Sequence, residues 1–170
     1  MGTLVTKKGV KRLERQVNAR FKTICKEYNT IYNIIDLAKS GEYDFSRLPL
    51  IARARLRLDV KHKLAFVNFF NDNLDVLIEG FKEKVEGYDS EFSDMKDRLP
   101  TYATLRRYKA NTVFYNYLLG MKEEVETLIN DYKVLESIVV ATFSEEEEKA
   151  YIAVEKDRDE PMENIRKYMN

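Results

Sequence analysis

Basic side chains at helical spacing are the residues of this 170-residue chain whose types and positions point most directly to chemistry. Arg53, Arg57 and Lys61 are spaced i, i+4 and i+8, which places them on one face of a helix. Arg55 and Lys63 lie in the same stretch. Rows of lysine and arginine neutralise phosphates. The cluster therefore favours a surface that binds a polyanion.

Two further basic groups open other predicted helices. One belongs to the first helix and the other to the third, where Tyr102 and Tyr108 accompany it. Cations near a helix N-terminus oppose the helix dipole, so an anion should compensate them. Basic side chains with aromatic rings suit phosphate contact and base stacking. The members of the two groups are Lys7, Lys8, Lys11, Arg12 and Arg15, and Arg106, Arg107 and Lys109.

The charge of the chain is split between its halves. Residues 1–63 carry 15 Lys and Arg against 6 Asp and Glu, whereas residues 64–170 carry 14 against 23. Such a split indicates a polyanion partner for the basic half. Internal pairing is the open alternative, with Glu145–Glu148 neutralising Arg53–Lys63. The basic groups of the first and third helices are expected to share one end of the molecule with acidic residues that would reduce the positive charge there, namely Glu83, Glu86, Asp94 and Asp97.

Catalysis has little support in this sequence. The single histidine, His62, argues against the multi-histidine metal sites of helical bundles. Cys25 adjoins an apolar position and is expected to be a small buried residue, not a nucleophile paired with His62. We predict a protein without catalytic activity, metal or cofactor. Metal or phosphate handling by carboxylate rows is an alternative, and those rows are Asp72, Asp75 and Glu79, and Glu123, Glu124 and Glu126.

The elements that position these groups are predicted to be long helices. Apolar residues recur in steps of three and four over residues 6–39, 49–86 and 101–142. Gly41 is expected to end the first helix and Pro49 to begin the second. Asn71 is a polar residue within the apolar pattern of the second helix, where it either fixes the alignment of the packed helices or lies at the edge of the apolar face, as a rim residue. Gly87 is expected to end the second helix, with a further helical piece over 89–98. The expected buried face of the third helix comprises Val113, Tyr117, Met121, Val125, Leu128, Tyr132, Leu135 and Val139.

The chain is therefore predicted to be all-α. We expect an elongated, coiled-coil-like antiparallel bundle of three long helices in residues 1–143. A charged C-terminal helical segment, residues 144–170, follows, and a capping box of Ser144 and Glu147 begins its short helix. Pro161 should break that segment. The lone cysteine and the lack of an apolar run of about 20 residues favour a cytoplasmic, intracellular protein without a membrane span or signal peptide.

Several short motifs resemble a known family. A helix ends at Ala38-Lys39-Ser40-Gly41, and Leu48-Pro49 precedes a basic helix containing Lys61-His62-Lys63-Leu64-Ala65-Phe66. Leu99-Pro100 then precedes an aromatic helix with Phe114-Tyr115-Asn116-Tyr117. Over residues 38–118 this pattern resembles the helical A domain of the GINS replication-factor family. The resemblance implies a non-catalytic scaffold that assembles with related subunits and bridges a replicative helicase to its partners.

These observations predict a helical scaffold or assembly subunit of a nucleic-acid-handling complex, of the kind that acts in DNA replication. Its partners would be protein subunits or a second copy of the chain, together with nucleic acid bound by the basic half. A coat-like or nucleoid-like protein that wraps nucleic acid is the first alternative. The carboxylate-based metal or phosphate handler is the second.

Overall fold

The structure is a computed structural model that describes residues 3–94 and 100–156, with the side chains of 91–94 left out. Its helices are α1 (Lys7–Thr30), α2 (Tyr32–Ser40), α3 (Leu50–Asp94) and α4 (Tyr102–Ala141), with a 3₁₀ turn at Phe45–Arg47. A further helix, α5, covers residues 145–156. The described ranges contain no strand, which confirms the prediction of an all-α protein.

The predicted first helix is divided in two. Ile31 separates α1 from α2 with a φ of −122° and a ψ of 15°. The Thr30 hydroxyl donates to the backbone carbonyl of Glu27 at 2.6 Å, and β-branched residues that bond the preceding turn weaken a helix. Ile31 itself is buried, so the apolar pattern continues across the break. Periodicity alone therefore could not reveal it.

The second predicted helix is longer than expected. Gly87 lies inside α3, which continues to Asp94, so the prediction that this glycine ends the helix is wrong. The cost of about 1 kcal/mol for a helical glycine is small beside the packing of the buried residues on either side, Val85 and Tyr88. Residues 95–99, which include Leu99 and part of the predicted 89–98 piece, lie outside the described residues, as does Pro161.

Contacts between α3 and α4 show that these helices run in opposite directions. Phe81 packs edge-on against Phe114 with ring centroids 4.9 Å apart, close to the connection between the helices. Arg53, near the start of α3, donates to the carbonyl of Thr142 just beyond α4. Residues farther from the connection on one helix thus meet residues farther from it on the other.

Helix α1 runs in the same direction as α4. Val5, just before α1, contacts Asn111 near the start of α4, and Tyr28 donates to Asp131 near its end. The starts of α1 and α4 therefore share one end of the molecule, and the start of α3 lies at the opposite end. The chain therefore reverses direction at residues 41–49 and again between α3 and α4, as short connections between packed helices require.

The core is continuous between α1, α2, α3 and α4. The apolar pattern of α1 is confirmed, since Val10, Val17 and Ile24 are buried. On α4, Val113 is 59% exposed and Phe114 is buried instead, because Phe114 lies on the same face as the buried residues that follow in steps of three and four. Leu128 is likewise only half-buried, and the adjacent Ile129 is buried. The other buried residues on this face of α4 include Leu118, Met121, Val125, Ile129, Tyr132, Leu135 and Val139.

Asn71 lies at the rim of the α3 seam, not within it. It is half-buried, and the neighbouring Phe70 takes the buried position. Lys122 donates to its side-chain oxygen at 3.5 Å. Of the two readings of Asn71, the geometry fits the rim residue.

Within the described ranges, no helix combines the length and apolarity that crossing a bilayer requires.

Candidate nucleic-acid interface

The end of the molecule that holds the starts of α1 and α4 is rich in positive charge for two reasons. Thr6 and Thr101 cap these helices through their side-chain oxygens, which accept from the backbone N–H groups of Gly9 and Thr104. Neither helix has an acidic residue in its first turn. Two parallel helix dipoles thus add their positive ends to the basic side chains that the sequence places here.

A buried amide fixes the two helix starts together. Asn111 is fully buried, and its side-chain oxygen accepts from the backbone N–H of Val5 at 3.0 Å. Its amide group donates to the carbonyls of Val5 and Arg107, both at 2.7 Å. The segment before α1 is therefore attached to α4 by neutral hydrogen bonds that use none of the nearby cations.

An open cleft of about 580 Å³ lies between these helix starts, and we call it the α1–α4 cleft. Cations from both helices line it, and Glu14 is the one acidic residue among the lining residues that the structure describes. Apolar and aromatic side chains form the rest of the lining. The cations are Lys7, Lys11, Arg106 and Lys109, and the other lining residues are Val10, Tyr102, Leu105, Ala110, Val113, Phe114 and Tyr117.

The two tyrosines predicted to support stacking have different environments. Tyr102 is 76% exposed, and the guanidinium of Arg106 lies over its ring, 5.6 Å from the centroid. Tyr108 donates a hydrogen bond to Asp89, which raises the pKa of the phenol, and its ring packs on Tyr88. Tyr102 is therefore open to a ligand, whereas Tyr108 is engaged within the protein.

A row of cations follows the outer face of α1, and we call it the outer stripe. Lys8, Arg12 and Arg15 were predicted from the sequence, and the helical repeat adds Lys22 and Lys26 to the same face. All five side chains are exposed and lie opposite the buried face of α1. The stripe spans about 27 Å at 1.5 Å rise per residue. The signal that identifies the two added residues is the seven-residue spacing from Arg15 to Lys22.

Among residues 3–94 and 100–156, no ion pair involves the cations of the cleft or of the outer stripe. Arg107 is also exposed and unpaired in this part of the chain. Glu83 and Glu86, expected to dilute the charge, are exposed and form no ion pair among the same residues. The side chains of Asp94 and Asp97 lie outside the described residues. The basic charge here is accordingly not neutralised by described groups.

The start of α3 is different, because its cations have partners inside the protein. Arg53 is only 8% exposed and donates to the carbonyls of Leu48 at 2.9 Å and Thr142 at 3.1 Å. It also forms an ion pair with Glu147 at 2.7 Å, and this hydrogen bond lowers the pKa of that carboxyl group. Arg53 therefore joins the start of α3 to the loop before it, to the end of α4 and to α5.

Two more cations of α3 bind α5. Arg57 forms a two-pronged ion pair with Glu148, and its guanidinium stacks 4.0 Å from the centroid of Tyr151. The hydrogen bond with Arg57 lowers the pKa of Glu148 and raises that of Arg57. Lys61 pairs with Glu155. The internal neutralisation that the sequence left open thus occurs at this end.

Lys63 and Arg55 complete the α3 cluster. Lys63 is held between Glu27 at 3.0 Å and Asp59 at 3.1 Å. Arg55 is exposed and has no ion pair within the described ranges. Of the five α3 cations predicted to bind nucleic acid, four therefore contact carboxylates of the same chain.

The remaining chemical candidates are weakly placed. Burial raises the pKa of the Cys25 thiol, which keeps it protonated, and His62 lines a separate cleft with Thr23 and Glu27. The described residues contain no group of three or more side chains arranged to hold a metal ion, including the carboxylate rows. The capping box of Ser144 and Glu147 is present, as predicted.

Comparisons of the chain with protein-family models, with curated proteins and with solved structures find no match.

Proposed function

We propose that this protein is a non-catalytic helical scaffold that binds nucleic acid through the outer stripe and the α1–α4 cleft. The observation that carries the proposal is the contrast in pairing. The cations of the outer stripe and of the start of α4 are exposed and have no described carboxylate partner, whereas those of α3 are largely neutralised. A row of unpaired cations that neutralises the phosphates of a nucleic acid releases the counterions condensed on that nucleic acid, which favours binding at low salt.

The wider setting of the proposal is an intracellular assembly of the DNA-replication type. An elongated antiparallel bundle offers long outer faces to protein subunits or to a second copy. On the outer face of α3, Phe69 and Val76 are 65% and 73% exposed. The motifs over residues 38–118 favour a GINS-like subunit, in which such faces meet related subunits.

Salt-dependent binding tests the nucleic-acid part of the proposal. The wild-type chain should bind a random-sequence oligonucleotide with an affinity that falls steeply as salt rises. Replacing Lys8, Arg12 and Arg15 together by alanine should reduce the slope of log K against log salt by about two to three, because each lost phosphate contact contributes roughly 0.7 to 0.9.

The matched control removes three exposed cations from elsewhere, Lys82, Lys133 and Lys149. It lowers the net charge by the same amount, and its slope of log K against log salt should stay within about 0.9 of the wild-type slope, which is the contribution of one phosphate contact. Wild-type binding without salt dependence, or an equal loss in both triple variants, would overturn the proposal.

Self-association tests the scaffold part. Phe69→Asp with Val76→Asp places charge on the exposed outer face of α3 and should lower the sedimentation mass of any assembly of this chain, alone or with nucleic acid. Matched substitutions at exposed polar positions of α3, His62→Asp with Asn68→Asp, should not. An assembly that tolerates the apolar substitutions would exclude this face as the contact.

A coat-like protein is the second candidate, and the length of the outer stripe favours it. Saturating, cooperative coverage of a long strand would support a coat, whereas a fixed stoichiometry would support a scaffold subunit.

A further inference from the structure

The α1–α4 cleft differs from the outer stripe because it has an apolar floor. Leu105 and Val113 are 41% and 59% exposed there, and the ring of Tyr102 stands at the edge. We propose that this cleft holds unstacked bases of a single strand, so that the protein prefers single-stranded to double-stranded nucleic acid. This inference rests on the proposed function and names the class of nucleic acid.

The rim of the cleft matches the backbone of a strand. Lys7 and Lys11 lie one turn apart on α1, and Arg106 and Lys109 lie about one turn apart on α4. A strand that lies along the cleft would thus place its phosphates between two rows of cations. The same strand would direct its bases to the floor.

A duplex cannot use that floor. Its base faces are covered by stacking, and away from its grooves it presents only sugar and phosphate to a helix surface. Bases of a single strand are free to stack on aromatic side chains, in a manner that tolerates any sequence. Tyr102, with a guanidinium over its ring, is such a platform.

The rim charge selects the occupant. Four cations against Glu14 surround the apolar lining, so an anionic ligand with flat apolar faces complements the cleft. An acidic amphipathic helix of a protein would satisfy the same charges, and the experiment includes it as a competitor.

The test compares three labelled ligands of equal length: a single strand, its duplex and an abasic strand with the same phosphates. Wild-type protein should bind the single strand about tenfold more tightly than the other two. Tyr102→Ala should remove most of that preference, because it should lower single-strand affinity several times more than duplex affinity. Tyr102 is exposed, so its loss leaves the fold intact, and Tyr32→Ala is the control at a tyrosine far from the cleft.

Val113→Asp gives an independent variant, because it places a negative charge on the floor without touching the rim. It too should weaken single-strand binding more than duplex binding. Equal affinity for all three ligands, or a preference untouched by both variants, would overturn the inference while salt-dependent binding upheld the proposed function. Stronger competition by an acidic amphipathic peptide than by the oligonucleotide would assign the cleft to a protein and also overturn it. Absence of salt-dependent binding to every ligand would mark failure of the proposed function itself.

Discussion

The two basic ends of the molecule are built alike in sequence and differently in structure. At the start of α3, Arg53 and Arg57 bind Glu147 and Glu148 of α5. At the starts of α1 and α4, the exposed cations have no described carboxylate partner, and the buried amide of Asn111 provides the attachment. At one end the charge stabilises the fold, and at the other the cations are exposed to solvent.

This difference shows that the residues facing a cluster of cations determine whether its charge is available to a ligand. Spacing of i and i+4 aligned Arg53, Arg57 and Lys61 as expected, but the face they share meets an acidic helix. The outer stripe of α1 has the same kind of spacing and faces away from the core. Helix direction decides between these outcomes, and it follows from connections that are short.

Arg53→Ala should have the largest effect on stability, and it acts at the start of α3, which we call the ion-paired end. It leaves two backbone carbonyls and the Glu147 carboxylate without their shared donor, so the free energy of unfolding should fall by about 3 kcal/mol. Urea denaturation measures this loss. Arg55→Ala, at an exposed position two residues away, should cost under about 0.5 kcal/mol. A loss below about 1 kcal/mol for Arg53→Ala would show that the ion-paired end does not depend on this residue.

At the end of the molecule that holds the starts of α1 and α4, Asn111→Ala should have the next largest effect on stability. The backbone N–H and C=O of Val5 would lose their partner, and stability should fall by about 2 kcal/mol. Hydrogen exchange at the amide of Val5 should accelerate as well. Asn116→Ala, on an exposed face of the same helix, serves as the control and should leave exchange unchanged.

Acid should loosen the ion-paired end selectively. The pKa values of Glu147 and Glu148 are lowered by their hydrogen bonds to Arg53 and Arg57. Their contribution to stability is thus complete above the ordinary glutamate pKa of about 4.3, and it is lost as pH falls through the lower folded values. Replacing both glutamates by glutamine should therefore flatten the fall in Tm between about pH 5 and pH 3.

Glu145→Gln with Glu146→Gln is the matched control for the acid experiment, since both carboxylates are exposed and outside the ion pairs. This variant should keep the wild-type profile. If both double variants flatten the profile equally, the ion pairs are not its cause.

Arg55→Ala has the smallest expected effect and sharpens the comparison. Arg55 has no ion pair within residues 3–94 and 100–156, but it lies among neighbours whose charge is neutralised. Its loss should lower nucleic-acid affinity by less than about twofold, whereas Arg12→Ala in the outer stripe should lower it several-fold at low salt. Equal losses, measured by fluorescence anisotropy, would remove the distinction between the two ends.

The sequence predicted the helices well because their apolar faces repeat at the helical period. The break at Ile31 was missed, since a buried isoleucine continues the pattern through a non-helical residue. Val113 was placed in the core for a similar reason: its spacing of four to Tyr117 is helical but belongs to a neighbouring face. Local periodicity shows which side of a helix is apolar, but it does not show which element packs against that side.

The candidate site was half accessible to sequence reasoning. The cations of the cleft were found from their positions at helix starts, and up-and-down helices bring them together. The apolar floor could not be predicted, because Val113 was assigned to the buried face of the third helix and Leu105 has no distinguishing pattern until the gap between α1 and α4 is known. The role of Asn111 depends on a contact with Val5 across more than a hundred residues, which no local pattern encodes.

Lysine footprinting with and without bound oligonucleotide compares both ends in a single experiment. Acetylation at Lys8, Lys11 and Lys109 should drop several-fold when nucleic acid binds, because phosphates cover these amines. Lys61 and Lys63, already paired with carboxylates of the chain, should keep their reactivity. Protection confined to Lys61 and Lys63, with the other three unchanged, would show that the polyanion binds α3. That result would contradict the proposed binding surface on α1 and the start of α4.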